Sequence, residues 1–370
     1  MKETMQKTDN WQRIWNDDGS NNRFSPVNAF LYVISLLYRL VITVRNRLYD
    51  YNIFPEIKLS CPVISIGNIT VGGTGKTPCV IWIAQMLQEQ GWKPAVLSRG
   101  YGSKNSLPVN IVSDGVKILH PGAIAGDEPL LIAQSLPGIP VITGPKRILT
   151  GKKAINNFGV NVLICDDAFQ HRQIFRDINL VLLDSQAPLG NGHMLPRGSL
   201  REPITELRRA DAFILTRTGE AAEAKTIAGK LAEAGNIPVY SSTHKPVDAV
   251  KGDYSISLPL SELKGKKVCA FAGIAKPDSF KNAILAAGAQ IMSFDIFPDH
   301  HRYNSKELEN IRNNFLKSNA DLLITTEKDG MRLQEFAYFL KDIYLLRIKL
   351  EIVPDEDSLK NFILERLERK

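Results

Sequence analysis

Short apolar runs alternate with helical patterns through the middle of the chain. Several runs are apolar at every position, which is typical of parallel strands that helices cover on both faces. Between residues 62 and 245 the predicted strands are Val63–Ile66, Ala95–Ser98, Val141–Thr143, Val160–Cys165, Leu180–Leu183, Phe213–Leu215 and Val239–Tyr240. We therefore predict an α/β domain with a mostly parallel sheet, whose chemistry should collect at the carboxyl ends of the strands.

A second α/β pattern follows a polar, irregular segment at Lys245 to Ser261, which predicts a linker or hinge. The further predicted strands are Lys267–Ala272, Ile291–Phe294, Leu322–Thr325 and Tyr344–Ile352, and a closing helix is predicted at Asp357 to Lys370. The predicted domains are an N-terminal segment of residues 1–55, a core of residues 56–245 and a smaller α/β domain of residues 246–370.

The N-terminal segment combines a polar lead with an apolar helix. Residues 1–25 lack the apolar core of a cleavable signal. From Val27 to Tyr49 the polar residues form one helical stripe, namely Asn28, Tyr32, Ser35, Arg39, Thr43 and Asn46. Such a helix, with Arg45 and Arg47 near its end, suits a membrane interface with anionic headgroups. A helix packed on the protein's own core is the alternative, and periodicity does not distinguish the two.

Composition describes a soluble-type globular chain of 370 residues with 44% hydrophobic and 23% charged residues. The net charge of +7 favours an anionic partner. Because no Lys/Arg tract concentrates that charge, nucleic acid is not favoured. The four cysteines are far apart and form no C-x-x-C pattern, so we expect buried thiols in a reducing, cytoplasmic compartment.

A glycine-rich stretch, TVGGTGKT, separates the first predicted strand from a helical pattern that begins near Cys79. Strand, glycine-rich loop, Lys-Thr and helix together predict a phosphate-binding P-loop. Its glycines let the backbone N–H groups turn towards a polyphosphate, the lysine reaches the β- and γ-phosphates, and the threonine hydroxyl binds Mg²⁺. The predicted nucleotide-binding residues are Thr70, Val71, Gly72, Gly73, Thr74, Gly75, Lys76 and Thr77. A ligand-free turn is the alternative, since Thr70 replaces the usual first glycine.

Paired carboxylates follow at two places. Asp166 and Asp167 end an apolar strand, where P-loop proteins hold their metal ion, and His171 lies close behind. Asp127 and Glu128 precede an apolar helix. Either pair could instead cap a helix N-terminus. A kinase that phosphorylates an alcohol needs a carboxylate to receive the hydroxyl proton, and Asp127 is a candidate.

Several basic residues complete the candidates. Arg99 directly follows a predicted strand and suits transferring phosphoryl charge, although a surface ion pair is the alternative. Arg197 and Arg201 lie in a long loop rich in glycine and proline, and they suit an anionic acceptor. His300 and His301 follow a strand without the spacing of a structural zinc site, and a solvated loop is their alternative.

Eight motifs, in order, resemble those of the tetraacyldisaccharide 4'-kinase family of lipid A biosynthesis. They are SIGNITVGGTGKTP, LSRGYG, GDEP, DDAFQH, GNGHMLPRGSLREP, AFAGIAKPDSF, FPDHHRY and TTEKDG, and they all lie within residues 62 to 330. The resemblance implies a P-loop kinase that uses ATP and Mg²⁺. Its expected reaction transfers the γ-phosphoryl group to the 4'-hydroxyl of a tetraacylated glucosamine disaccharide 1-phosphate.

The resemblance also implies roles for residues. Asp127 would be the base, and His300, rather than His301, would support it from the second domain, which would close over the substrates. His171 would organise the site, beside the roles on the phosphoryl group that the sequence pattern already gives to Lys76 and Arg99. The implied metal ligands are Thr77, Glu128 and one or both of Asp166 and Asp167, and the candidate acceptor-binding residues are Asn191, Arg197 and Arg201. Roles within Thr325 to Asp329 stay open.

The resemblance further implies a location at the cytoplasmic face of the bacterial inner membrane, peripheral or held by the N-terminal helix. The expected partners are the lipid A precursor and anionic headgroups, with no nucleic acid and no obligate protein partner. His193 and Ser199 depart from the family's usual residues, which leaves the acceptor contacts open.

Three other classes remain as alternatives. A membrane-associated P-loop regulatory ATPase requires a signature lysine near position 71, where this chain has Val71. A P-loop GTPase requires an Asn-Lys-x-Asp motif after a late strand, and none follows. A soluble small-molecule kinase would use the N-terminal helix only as core.

Overall fold

The structure, a computed structural model, describes Trp15 and residues 26–100, 107–120, 122–218 and 237–369. Apart from Trp15, the predicted polar lead at residues 1–25 lies outside these ranges, as do Tyr101 and Gly102 of the LSRGYG motif.

The strands alternate with helices along most of the described chain. The strands are β1 (Val63–Asn68), β2 (Pro94–Ser98), β3 (Asn110–Asp114), β4 (Pro140–Thr143), β5 (Val162–Asp166), β6 (Ile178–Asp184), β7 (Ala212–Thr216), β8 (Val239–Lys251), β9 (Ser257–Pro259), β10 (Lys267–Ala272), β11 (Gln290–Ile296), β12 (Leu322–Thr326) and β13 (Tyr344–Val353). The α-helices are α1 (Pro26–Asp50), α2 (Lys76–Glu89), α3 (Gly122–Ala125), α4 (Asp127–Ser135), α5 (Arg147–Phe158), α6 (Pro277–Ala286), α7 (Ser305–Lys317), α8 (Glu327–Arg332), α9 (Ala337–Leu340) and α10 (Glu356–Glu368). Short 3₁₀ helices lie at Ile204–Arg209, Leu260–Leu263 and Gln334–Phe336.

The chain forms two compact units whose boundaries differ from the predicted domains. The first comprises Met1–Arg99, Gly144–Thr243 and Glu351–Lys370, and the second comprises Gly100–Thr143 and His244–Leu350. Residues 100–143, expected in the core domain, therefore belong with the second unit, where α4 packs on α8. The C-terminal helix belongs with the first unit, since Arg366 pairs with Asp211 there.

The first unit is built on a parallel sheet in the order β8-β7-β6-β1-β5-β2. Strands β1, β5, β6 and β7 are buried along their whole length, as their uniformly apolar sequences predict. In the β1–β5 register, Ile66 is opposite Asp166. The carboxyl ends of these two strands are therefore neighbours, which brings the glycine-rich loop after β1 beside the acids after β5.

The second unit has its own parallel sheet in the order β11-β10-β12-β13. Its other part is an antiparallel β3–β4 pair with α4 between the two strands in sequence. The linker predicted at Lys245 to Ser261 is wrong in part, because β8 runs to Lys251 and pairs antiparallel with β9. Most positions of β8 are only partly buried and many of its residues are polar, so no alternating apolar pattern marked the strand in the sequence.

Helix α1 buries Leu31, Ser35, Ile42 and Asn46 and exposes most of its other apolar residues. Buried Ser35 donates to the Met194 carbonyl at 2.8 Å, and buried Asn46 donates to Glu202 at 3.2 Å. The exposed apolar residues are Val27, Phe30, Val33, Leu36, Leu37, Leu40, Val41 and Val44. Arg45, expected at a membrane surface, instead pairs with Glu202 at 2.6 Å. By length and composition, α1 could also cross a membrane.

Candidate active site

The loop between β1 and α2 has the backbone geometry of a phosphate-binding turn. Gly72 and Gly75 adopt positive φ angles of 121° and 81°, which glycine reaches without steric strain. Gly75 is the N-cap of α2, so the positive end of the helix dipole lies at the loop. The Val71 N–H donates to the Ser199 carbonyl at 2.7 Å, which ties the loop to the segment around residue 200.

Lys76 is oriented by groups at the ends of two strands. Its Nζ donates to Asn68 Oδ1 at 3.3 Å and lies 3.5 Å from Asp167 Oδ1. Arg217, after β7, donates from Nη2 to the Gly73 carbonyl at 2.9 Å and also pairs with Asp184. Side chains after β1, β5, β6 and β7 therefore converge on the glycine-rich loop, as expected for a parallel sheet.

The two acids after β5 have different surroundings. Asp166 is buried and accepts a hydrogen bond from Ser98 Oγ at 3.0 Å. Asp167 has a φ of 49°, and both of its oxygens accept from Arg201 Nη1 at 2.9 and 3.0 Å. Burial would raise the pKa of Asp167, but the charges of Lys76 and Arg201 outweigh it and lower that pKa. Asp167 is thus an ionised group between two cations.

His171 lies among arginines. Burial, followed by the charges of Arg147, Arg176 and Arg99, lowers the pKa of His171 to about 4. The imidazole is therefore neutral near pH 7. Arg99 is exposed, whereas Arg147 is buried and donates to the carbonyl oxygens of Gly144 and Asp166 at 2.8 and 3.1 Å.

The donor chemistry of the first unit fits a magnesium ion. Thr77 and Asp166 supply hydroxyl and carboxylate oxygens of the hard type that Mg²⁺ prefers, and Asp167 lies next in sequence. Within the described ranges, no group of three or more His, Cys, Asp or Glu side chains could hold a metal. Mg²⁺ commonly takes only one or two carboxylates and completes its shell with phosphates and water. Glu128 belongs to the second unit.

The loop at residues 190–203 packs against α1. Asn191 Nδ2 donates to the Arg197 carbonyl at 3.2 Å, and Asn191 Oδ1 accepts from the His193 N–H, so this side chain shapes the loop itself. Arg197 is buried, and its N–H donates to Ser35 Oγ at 3.0 Å. A cavity of about 170 Å³ lies between loop and helix, and it is lined by Tyr32, Ser35, Leu36, Arg39, Gly192, His193, Met194, Leu200, Pro203, Ile204 and Thr205.

In the second unit, Asp127 and Glu128 form the first turn of α4. Gly126 is the N-cap with a φ of 88°, so neither acid caps the helix. Asp127 Oδ2 accepts from Arg332 Nε at 2.7 Å, and Glu128 Oε1 accepts from Lys328 Nζ at 3.0 Å. Burial would raise the pKa of Asp127, but hydrogen bonds and charge from His300 and Arg332 lower it to about 2.

The two adjacent histidines have different contacts. His300 has a φ of 58°, and its Nδ1 lies 3.7 Å from Asp127 Oδ2. His301 turns to Glu307, 3.0 Å from its Nε2, and stacks on Phe297. Of the two, His300 is the one beside Asp127.

Sequence reasoning missed the cations that hold these acids. Lys328 and Arg332 share one face of α8, and the TTEKDG motif covers its first residues. Their spacing of four residues was a usable signal, because residues four apart are neighbours on a helix. Asn68 and Arg147 carried no comparable signal.

Comparison with known proteins decides the family. The sequence model of the LpxK family, described as tetraacyldisaccharide-1-P 4'-kinase, matches residues 27–368. The chain belongs to the tetraacyldisaccharide-1-P 4'-kinase family. The resemblance predicted from the motifs is thereby confirmed.

Similar proteins agree over nearly the full length. A tetraacyldisaccharide 4'-kinase from Syntrophus aciditrophicus is 45% identical, and the alignment covers 96% of this chain and 97% of the relative. One from Desulfatibacillum aliphaticivorans is 40% identical over 95% of each chain. A crystal structure of LpxK from Aquifex aeolicus in complex with ATP is 31% identical, with a TM-score of 0.75, and covers 92% of this chain and 99% of that one. These matches confirm the predicted P-loop α/β fold and the predicted class, an ATP-dependent kinase.

Proposed function

We propose that the chain transfers the γ-phosphoryl group of ATP to the 4'-hydroxyl of a tetraacylated glucosamine disaccharide 1-phosphate. Family membership supports the reaction. The observation that carries it in this structure is the phosphate-binding turn of the first unit, where Gly75 is the N-cap of α2. The second unit separately contains a candidate base, Asp127, whose carboxylate accepts a hydrogen bond from Arg332.

ATP is proposed to bind at the loop of Thr70 to Thr77. The backbone N–H groups of Gly72 to Gly75 and the N-terminus of α2, where Gly75 is the N-cap, would face the phosphates. Lys76, already oriented by Asn68 and Asp167, would reach the β- and γ-phosphates. Arg99 and Arg147 are further positive groups near the end of β5, and they suit the charge that develops on the transferring group.

Magnesium would be held by Thr77 and Asp166, with Asp167 as the further carboxylate. The ion supplies charge neutralisation at the β- and γ-phosphate oxygens. Glu128 stays a predicted ligand, and its carboxylate pairs with Lys328 at 3.0 Å. His171, being neutral, is suited to hydrogen bonding in the site rather than to charge stabilisation.

Asp127 is proposed as the base on the acceptor hydroxyl. The acceptor oxygen bonds to the γ-phosphorus, the bond from that phosphorus to the β–γ bridging oxygen breaks, and the hydroxyl proton passes to Asp127. A pKa of about 2 makes this carboxylate a weak base but keeps it ionised. A weak base is adequate where the transition state is loose and the proton moves late. His300 Nδ1 lies 3.7 Å from Asp127 Oδ2, which suits the supporting role that the family resemblance implies for His300.

The acceptor is proposed to bind beside α1. The cavity there is lined by both polar and apolar side chains, including Arg39 and Met194. Such a lining suits an amphipathic lipid disaccharide. Arg201 pairs with Asp167, so it connects this loop to the phosphate site. Arg197 and Asn191 support the loop from within.

Association with the inner membrane at its cytoplasmic face belongs to the same proposal. The outward side of α1 is largely apolar, while its inward side combines Leu31 and Ile42 with the hydrogen-bonded Ser35 and Asn46. A water-soluble helix normally has the reverse arrangement. Closure of the second unit over the substrates stays a prediction from the family resemblance.

Transfer of label from γ-labelled ATP to the lipid disaccharide tests the reaction. We expect labelled lipid only when acceptor is present, with little ATP consumed without it. The Asp127→Asn variant should still bind ATP but transfer label at least about a hundredfold more slowly, since general base catalysis contributes roughly 10²–10⁴-fold. ATP hydrolysis that is equally fast without acceptor, and never labels the lipid, would instead favour a regulatory ATPase.

A further inference from the structure

The carboxylate of Asp329 is fully buried inside the second unit and is held by four hydrogen-bond donors. It accepts hydrogen bonds from the Gly273 N–H at 3.1 Å, Tyr303 Oη at 3.0 Å and Thr326 Oγ1 at 2.7 Å. Its fourth donor is Arg332 Nη1 at 2.9 Å. A buried carboxylate needs a counter-charge, and Arg332 supplies it.

The rest of the Arg332 guanidinium points at the acid pair. Nη1 also donates to the Gly273 carbonyl at 2.5 Å, which leaves Nε and Nη2 for other partners. Nε donates to Asp127 Oδ2 at 2.7 Å, and Nη2 lies 3.4 Å from His300 Nδ1. The Arg332 side chain is 3% exposed, so its orientation is set by these contacts rather than by solvent.

We propose that Arg332 is a positioning residue for phosphoryl transfer: braced by Asp329, it holds the Asp127 carboxylate in the orientation that takes the acceptor's proton. Within the described part of the chain, the contacts to Asp127 fall on Oδ2. Oδ1 is then the oxygen that accepts the hydroxyl proton as the new P–O bond forms and ADP leaves. The inference rests on the proposed role of Asp127 as base.

Lysine cannot replace arginine in this arrangement. The planar guanidinium uses three nitrogens with fixed relative directions, towards Asp329, Asp127 and His300. A lysine ammonium keeps the charge but is a single point at the end of a flexible stem. Arg332→Lys should therefore lose the positioning of Asp127 while it still supplies a positive counter-charge to Asp329.

The test compares Arg332→Lys and Arg332→Gln with Arg312→Gln. Arg312 belongs to the same unit and is half exposed. It forms a surface ion pair with Asp342 at 3.1 Å, so it is the matched control. We expect kcat to fall about 10- to 100-fold in both Arg332 variants, as for a misplaced reacting group. The KM for ATP should change less than about threefold, and Arg312→Gln should match the wild type.

A double-mutant cycle separates positioning from simple support of the fold. Arg332→Gln is introduced into the Asp127→Asn protein, and the slow residual transfer of label is followed over hours. If Arg332 acts through Asp127, the second substitution should slow that residual rate less than about twofold, because coupled groups are not additive. An equal fractional loss in both backgrounds would show a structural role and overturn the inference.

The outcomes distinguish this inference from the proposed function. Asp127→Asn with wild-type kcat would remove the base assignment, and the inference with it. A slow Asp127→Asn protein beside an Arg332→Lys protein with wild-type kcat would overturn the inference alone. Should Arg332→Gln fail to fold, Arg332→Lys still decides, since it leaves Asp329 with a counter-charge.

Discussion

At the scale of single residues, three acids near the proposed chemistry each contact a cation. Asp167 contacts Arg201, Asp127 contacts Arg332, and Glu128 contacts Lys328. Opposite charges at this distance favour the ionised carboxylate. The acids are therefore ready as proton acceptors or metal ligands without first losing a proton.

Glu327 has the opposite environment and gives a prediction about stability. Burial, with a smaller contribution from Asp248, raises its pKa from 4.5 to about 7, although Arg347 opposes the shift. The folded state thus holds a proton that the unfolded state releases above pH 4.5. Its stabilising contribution is complete below that pH and is lost as the pH rises through about 7.

We expect the free energy of unfolding of the second unit to fall across this range. The loss from Glu327 should be on the order of 3 kcal/mol. Glu327→Gln should abolish that part of the pH dependence, whereas Glu335→Gln, at an exposed position of the same unit, should not. Denaturant titrations at a series of pH values measure the slope, and equal slopes in wild type and Glu327→Gln would contradict the prediction.

At the scale of elements, strand existence was predictable and strand partners were not. Lys267–Ala272 matches its predicted bounds, and β1, β5 and β7 differ from theirs by a few residues, because uniform apolar runs mark buried strands. Strand β3, with the mixed sequence NIVSD, was missed.

The acids and the P-loop were found because their signals are local. Arg332 lies 205 residues from Asp127, and no local pattern connects them.

Gly67 is the point where β1 approaches the segment that follows β5. A Cβ at this position would lie 2.6 Å from Phe169 Cβ and 2.7 Å from its backbone nitrogen. Gly67→Ala must therefore push residues 168–169 away, and with them the neighbouring Asp166 and Asp167. We expect about 1–3 kcal/mol of destabilisation from overpacking, and a raised KM for ATP.

Gly91→Ala is the control for that substitution. Gly91 has a φ of 81° with no atom within 4 Å of an added Cβ, so alanine there costs only backbone strain. The unfolding temperature should fall in both variants, while the KM for ATP should rise only for Gly67→Ala. A wild-type KM for ATP in a folded Gly67→Ala protein would show that the close approach does not position the acids.

At the scale of the whole molecule, the N-terminal helix links the fold to the location of its substrate. Family membership makes the chain a kinase of lipid A biosynthesis. An amphipathic acceptor with acyl chains is held in a bilayer by those chains. Under the proposed membrane association, the exposed apolar side of α1 would bring the cavity beside Arg39 to the level of the bilayer surface. The alternative of a core helix predicts a buried apolar side, and Leu37, Leu40 and Val41 are each more than 60% exposed.

Vesicle flotation therefore gives the last prediction. Leu37→Glu together with Leu40→Glu places two charges on the exposed side of α1, each of which costs about 2–3 kcal/mol at membrane depth. We expect the wild type to float with vesicles that contain anionic lipid and the double variant to remain in the aqueous fraction, with ATP binding unchanged. Leu316→Glu, at an equally exposed leucine of α7, should float like the wild type. Equal flotation of the double variant would contradict membrane binding through α1, and the helix face would then need another partner.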